Sequence, residues 1–127
     1  MFSFLFNHIA ISVKNVDKSV AFYQEVLGLK EIKNTASNSK TRWLLLAEDK
    51  QLHLIPRAEF ALKTNKAVHF ALATNNIHAV VKHLNDLQIE YSDWKGTQEK
   101  NYIRKDGILQ IYFQDPDGYW IEINNDI

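Results

Sequence analysis

The sequence predicts an α+β fold built from two βαβββ modules, each a curved mixed sheet with one helix. Three observations carry it. Short runs of alternating β-branched and aromatic residues outnumber helical segments. The first helical segment follows the first strand and the second follows the fifth. His8-Ile9-Ala10-Ile11 also aligns with His69-Phe70-Ala71-Leu72, and Asn15-Val16 with Asn76-Ile77, at a common offset of 61 residues. Val20 then falls on Val81, so the repeat keeps its register from strand into helix.

Residues 5–13 alternate Ile9, Ile11 and Val13 against His8, Ala10 and Ser12 and read as a strand. Asp17 is the expected N-cap of a helix from Lys18 to Leu27, with Gly28 as its stop. Val16, Val20, Tyr23 and Leu27 fall at helical spacing and should face a sheet. Residues 29–35 and 41–47 read as strands around the polar turn Ser37-Asn38-Ser39, and residues 51–55 as a fourth that ends at Pro56. Module 1 therefore covers about residues 1–57, a linker about 58–66, and module 2 about 67–127, all in one domain.

In module 2 the expected order is a strand over 67–73, a cap at Asn75 or Asn76, a helix over 77–87, and strands near 89–94, 109–114 and 119–124. The stretch from Gly96 to Gly107 is polar and reads as mobile. The final two strands flank Asp115-Pro116-Asp117-Gly118, in which proline presets φ and glycine accepts a positive φ.

A chain of 127 residues, 46% hydrophobic and 12% aromatic, is ordinary for one globular domain. Fifteen basic and fifteen acidic residues cancel, and no basic stripe stands out, so neither nucleic acid nor an anionic membrane is expected as a partner. The absence of cysteine excludes disulfides, thiolate metal sites and a catalytic thiol. The apolar start, residues 1–6, lacks a basic region and does not read as a signal peptide. A cytoplasmic domain is expected.

Alternation places the polar strand residues. His8 shares a face with Ala10 and Ser12, and His69 with Ala71 and Ala73. His53 lies opposite Leu52 and Leu54, and Glu122 opposite Ile121 and Ile123. A carboxylate inside an apolar strand is either solvated or held by a cation, because an unpaired buried ion is costly. One strand histidine alone is more often a core or surface residue. Four such residues on the first and last strands of both modules, with small neighbours on two of them, are candidates for a divalent metal site. Three imidazoles and a carboxylate suit Zn, Ni, Fe, Co or Mn. His78 and His83 fall on the second helix and read as surface residues.

The segments His8-Ile9-Ala10-Ile11-Ser12-Val13, Ser19-Val20-Ala21-Phe22-Tyr23 with Leu27-Gly28-Leu29, Val68-His69-Phe70-Ala71-Leu72, and residues 112–122 resemble the vicinal oxygen chelate superfamily. It includes glyoxalase I, fosfomycin resistance proteins, methylmalonyl-CoA epimerase and extradiol dioxygenases. The resemblance covers essentially the whole chain and implies a cup around one divalent ion, Zn, Ni, Co or Mn in preference to Fe. It places the ligands at His8, His53, His69 and Glu122. Glyoxalase I is the nearest subtype by length and layout, which implies a lyase or isomerase acting on a small oxygenated metabolite, with or without a conjugated thiol. Chelation would run through two adjacent oxygens, with Glu122, or failing it His53, moving the proton.

The match departs from glyoxalase I at His53, where that enzyme usually has Glu or Gln. It departs again at Ser12 and Arg57, where that enzyme has the Arg and Asn that hold glutathione. Arg57 is instead a candidate for an anionic substrate, as are Lys100, Arg104 and Lys105. Trp43, Trp94, Tyr112 and Trp120 are candidate pocket-lining residues. Extradiol dioxygenases share the ligand types but usually have four modules, and the potassium-binding loop of fosfomycin thiol transferases is not apparent. A metal-free binding protein of the bleomycin resistance type is the alternative of another class. A homodimer is expected, because open sheet edges need partners.

Overall fold

The computed structural model describes residues 1–59, 61–98 and 102–127, and at 102 the backbone only. The described residues form strands β1 (His8–Val13), β2 (Glu31–Ile32), β3 (Arg42–Ala47), β4 (Lys50–Pro56), β5 (His69–Ala73), β6 (Tyr102–Ile103), β7 (Leu109–Gln114) and β8 (Trp120–Asn124), with helices α1 (Val16–Leu27) and α2 (Ile77–Asp86). They divide into two compact units, Met1–Ala61 and Leu62–Ile127. Each unit holds one four-stranded mixed sheet, in the order β1-β4-β3-β2 and β5-β8-β7-β6, the α+β arrangement expected.

In the first unit β1 runs parallel to β4, and β3 runs antiparallel to both β4 and β2. Leu44, Leu52 and Leu54 are fully buried with Val13 and Tyr23, and α1 covers β3 and β4. Each such leucine contributes roughly 1.5–3 kcal/mol by burial. Asn15, not Asp17, caps α1: its backbone is extended and its side chain accepts from the Lys18 amide. Asp17 instead lies in the first turn and meets Arg42 at 2.6 Å. Helix α1 buries Ser19, Val20, Tyr23 and Val26, so Val26 takes the place expected for Leu27. Gly28 ends the helix at φ 67°, with its amide donating to Gln24 O.

The expected strand over 29–35 shrinks to Glu31–Ile32. The Asn34 side chain accepts from the amides of Ala36 and Ser37 and donates to Thr41 O, which turns the chain before a ladder can continue.

In the second unit β5 runs parallel to β8, and β7 runs antiparallel to β8 and β6. Ile111, Phe113, Ile121 and Leu84 are buried. Asn76 caps α2 as Asn15 caps α1, accepting from the Ala79 amide. No strand forms over 89–94; only Ser92 bridges, to Tyr112 and Gln98. Asp93 turns the chain there, accepting from Gly96 N and Thr97 N. Within the stretch expected to be mobile, Tyr102–Ile103 forms β6, whereas Lys100 lies outside the described residues. The turn before β8 is held by Asp115, whose Oδ1 accepts from Asp117 N and Tyr119 N, with Gly118 at φ 89°.

Candidate metal centre

The two sheets present polar side chains at equivalent register positions. Ala10 stands beside His53 on the parallel neighbour of β1, as Ala71 stands beside Glu122 on that of β5. Across the antiparallel ladder, Trp43 opposes His53 as Tyr112 opposes Glu122. Each unit therefore brings together one pair of the expected ligands: His8 with His53, and His69 with Glu122.

In the second unit Glu122 is 7% exposed and carries two hydrogen bonds. The Tyr112 hydroxyl donates to Oε1 at 2.5 Å, and Asn124 Nδ2 donates to Oε2 at 2.6 Å. Burial, and then the bond to Glu122, push the Tyr112 phenol above its ordinary range and keep it a donor. His69 Nδ1 donates to the backbone carbonyl of Lys66 at 2.8 Å. A carbonyl only accepts, so in the neutral ring Nε2 keeps its lone pair. That Nε2 is 3.5 Å from Glu122 Oε1. Two ligands about 2.1 Å from a tetrahedral ion stand roughly 3.4 Å apart, so this pair matches a shared divalent cation.

The first unit holds its pair differently. The His53 ring is stacked between Trp43 (4.2 Å between centroids, 5° between planes) and His8 (4.1 Å, 17°). Imidazole lone pairs lie in the ring plane, so rings this nearly parallel aim theirs side by side, and one must rotate before both can reach one ion. His8 Nδ1 donates to Asn7 Oδ1 at 2.7 Å, leaving Nε2 open, whereas His53 Nε2 donates to Gln51 Oε1 at 2.8 Å. Burial, and the charge of His8, lower the His53 pKa and favour its neutral, ligating form. Among the described residues no group of three or more His, Cys, Asp or Glu side chains is placed to hold a metal ion.

Of the other candidates, Tyr112 and Trp120 line a cavity of about 420 Å³ in the second unit with Lys66, Tyr91, Ser92 and Gln114. Trp94 is 45% exposed, its ring 5.5 Å from that of Tyr112. Arg57 is exposed at the end of β4, with Nη1 on Pro56 O. Arg104 is paired with Asp106 and Asp126, so its charge is already met, while Lys105 is exposed. His78 and His83 are exposed on α2. Sequence reasoning missed the partners that orient the ligands: Asn7, Gln51, Asn124 and Lys66. Alternation puts Asn124 on the face of Glu122, and Gln51 likewise on that of His53, without showing that they bond to them. Nothing local pointed to Lys66.

Residues 5–123 match the Glyoxalase/Bleomycin resistance protein/Dioxygenase superfamily. The chain belongs to that family. It is 32% identical over 126 residues to glyoxylase I 4 of Arabidopsis thaliana, covering 94% of this chain and 69% of that protein. It is also 32% identical over 127 residues to the metallothiol transferase FosB of Staphylococcus haemolyticus, covering 93% and 81%. In fold it is similar to the fosfomycin resistance protein FosX of Listeria monocytogenes, with a TM-score of 0.77 at 24% identity over 100% of this chain and 96% of that one. Among the described residues of this family member, no helix is long and apolar enough to cross a membrane.

Proposed function

We propose that the protein is a metal-dependent lyase or isomerase of the glyoxalase type, acting on a small oxygenated metabolite. His8, His53, His69 and Glu122 are the proposed ligands of one Zn, Ni, Co or Mn ion, with the set completed within one chain or across a homodimer. The observation that carries this reading is the 3.5 Å spacing of His69 Nε2 and Glu122 Oε1, with the imidazole tautomer already set for ligation. The relative named as a metallothiol transferase adds weight to the metal.

When bound, such an ion stabilises negative charge forming on two adjacent substrate oxygens. The chain's own residues supply position and proton transfer. Tyr112 and Asn124 hold the Glu122 carboxylate in one orientation, which a base aimed at one substrate carbon requires. His53, whose Nδ1 is not committed to Gln51, is the second candidate for the proton. Trp43, Tyr112 and Trp120 would contact the substrate, and Arg57 would neutralise an anionic group on it. Thiol transfer is the second reading, because the metallothiol transferase is as similar to this chain as the glyoxylase I relative.

Elemental analysis of wild type beside His8→Ala tests the metal. About one divalent ion per chain, lost in the variant, is expected for a site of this ligand count. A protein still empty after reconstitution with each metal would overturn the reading and leave a metal-free binding protein. Hemithioacetals and related substrates then test the reaction. Glu122→Gln should lose activity even when saturated with metal, and a variant that keeps both metal and full activity would remove Glu122 as the base.

A further inference from the structure

The Lys66 side chain makes more directed contacts than any candidate substrate-binding cation described above. Its ammonium donates to Ser92 Oγ at 3.2 Å, Asp93 O at 2.6 Å and Trp94 O at 3.0 Å. An ammonium has three donors, so none is left over for a substrate anion. The same nitrogen lies 4.9 Å from the centre of the Trp120 ring, 5.0 Å from Tyr112 and 5.7 Å from Trp94, within the range of cation–π attraction.

The acceptors belong to a segment that is itself fixed. Ser92 and Tyr112 exchange two backbone hydrogen bonds, of 2.9 and 2.8 Å, which fasten residue 92 to β7. Lys66 thus ties the turn before β5 to the segment beside β7. That turn is closed locally by Asn65, whose Oδ1 accepts from Ala67 N and whose carbonyl accepts from Val68 N, each at 2.8 Å. From it the Lys66 carbonyl accepts a hydrogen bond from His69 Nδ1–H.

We propose that Lys66 is a positioning residue for His69: its clamped side chain holds the turn whose carbonyl selects the Nδ1–H tautomer and leaves Nε2 free to bind a metal. Its value for catalysis rests on His69 being a metal ligand, as argued above. The same ammonium lies over the ring of Tyr112, the donor to Glu122, so it stands beside the partners of both members of the pair in this unit. The Lys66 carbonyl on His69 Nδ1 is an outer contact of the sort worth roughly 10–100-fold in metal affinity, which bounds what loosening its turn can cost.

Lys66→Met keeps the length of the stem and removes all three donors. The decisive readout is the nitrogen NMR spectrum of the metal-free protein labelled at histidine, with the His69 signal assigned by His69→Gln. Wild type should show protonated Nδ1 and unprotonated Nε2. Lys66→Met should shift the ring toward the Nε2–H tautomer while the protein still unfolds cooperatively, and zinc affinity should fall, by no more than the roughly 10–100-fold that losing a ligand's own hydrogen-bond partner costs. If Lys66→Met does not fold, Asn65→Ala, which loosens the same turn from its other end, is read in the same way. An unchanged His69 tautomer in a folded variant would overturn the clamp. Failure of wild type to bind zinc, with the tautomer still responding, would sink the metal reading alone and leave the clamp standing.

Discussion

The first unit presents two imidazoles in a three-ring stack with Trp43, and the second presents an imidazole and a carboxylate held by hydrogen bonds. Backbone register is the same in both, down to the alanine beside His53 and beside Glu122. What differs is the force that orients the side chain. In the first unit the flanking rings set the plane of the His53 imidazole and each histidine carries one hydrogen bond, to Asn7 or Gln51, whereas both oxygens of the buried Glu122 carboxylate are held by directional hydrogen bonds. The second pair of proposed ligands therefore stands at a spacing that fits a shared cation, and in the first pair one of the two rings has to turn. Duplicated strands fix where a ligand starts from, and its neighbours decide whether it is preorganised.

The largest expected effect is on metal affinity. His69→Ala should lower it by more than the roughly 10–100-fold that loss of an outer partner costs, and by more than His53→Ala does, in titrations with zinc. Equal losses would mean that the stack imposes no cost on ligation. Where His53 is the ring that turns, it leaves Trp43, and zinc should change the emission of wild type, with most of that change absent in Trp43→Phe.

Next in size is the stability of the metal-free protein. Tyr112→Phe strips a hydrogen bond from a buried carboxylate and should cost about 1.5–3 kcal/mol in urea unfolding. Trp43→Phe, which keeps an aromatic face on His53, should cost less. Tyr112 also gives the pair a pH signature. Its pKa is raised by folding, so its contribution is full below the phenol's ordinary value near 10 and is lost as pH rises beyond it toward the folded pKa. Wild type should lose stability more steeply than Tyr112→Phe in that alkaline range, and parallel curves would contradict the assignment.

The smallest effect tests a contact outside the pairs. Arg42 binds Glu31 through both Nε and Nη2, and the hydrogen bond lowers the Glu31 pKa. Arg42→Gln should cost about 0.5–1 kcal/mol at neutral pH, since both groups are partly solvated. That stabilisation is present above the ordinary carboxylate range and fades as pH falls through the folded pKa of Glu31. The variant and wild type should therefore converge in acid.

The sequence by itself determined the class, the family and the sidedness of β4 and β8, whose Leu52, Leu54, Ile121 and Ile123 are buried. Alternation put Glu122 opposite Ile121 and Ile123, and those isoleucines are indeed buried in the core. Asn76 is one of the two caps expected for α2, whereas α1 is capped by Asn15, its equivalent at the offset of 61, and not by the expected Asp17. These are local properties, because the pleat repeats every two residues and a cap acts within one turn. Only the tertiary structure decided what holds each candidate ligand. Tyr112 reaches Glu122 through the register of β7 on β8, and Lys66 reaches residues 92–94 across more than two dozen positions of chain. It also shortened the strand after Gly28 and dissolved the one expected near Ile89, where side-chain hydrogen bonds and turns took the backbone away from the ladder. Such pairings depend on which segments meet in space, and no periodicity within a strand or helix contains that information.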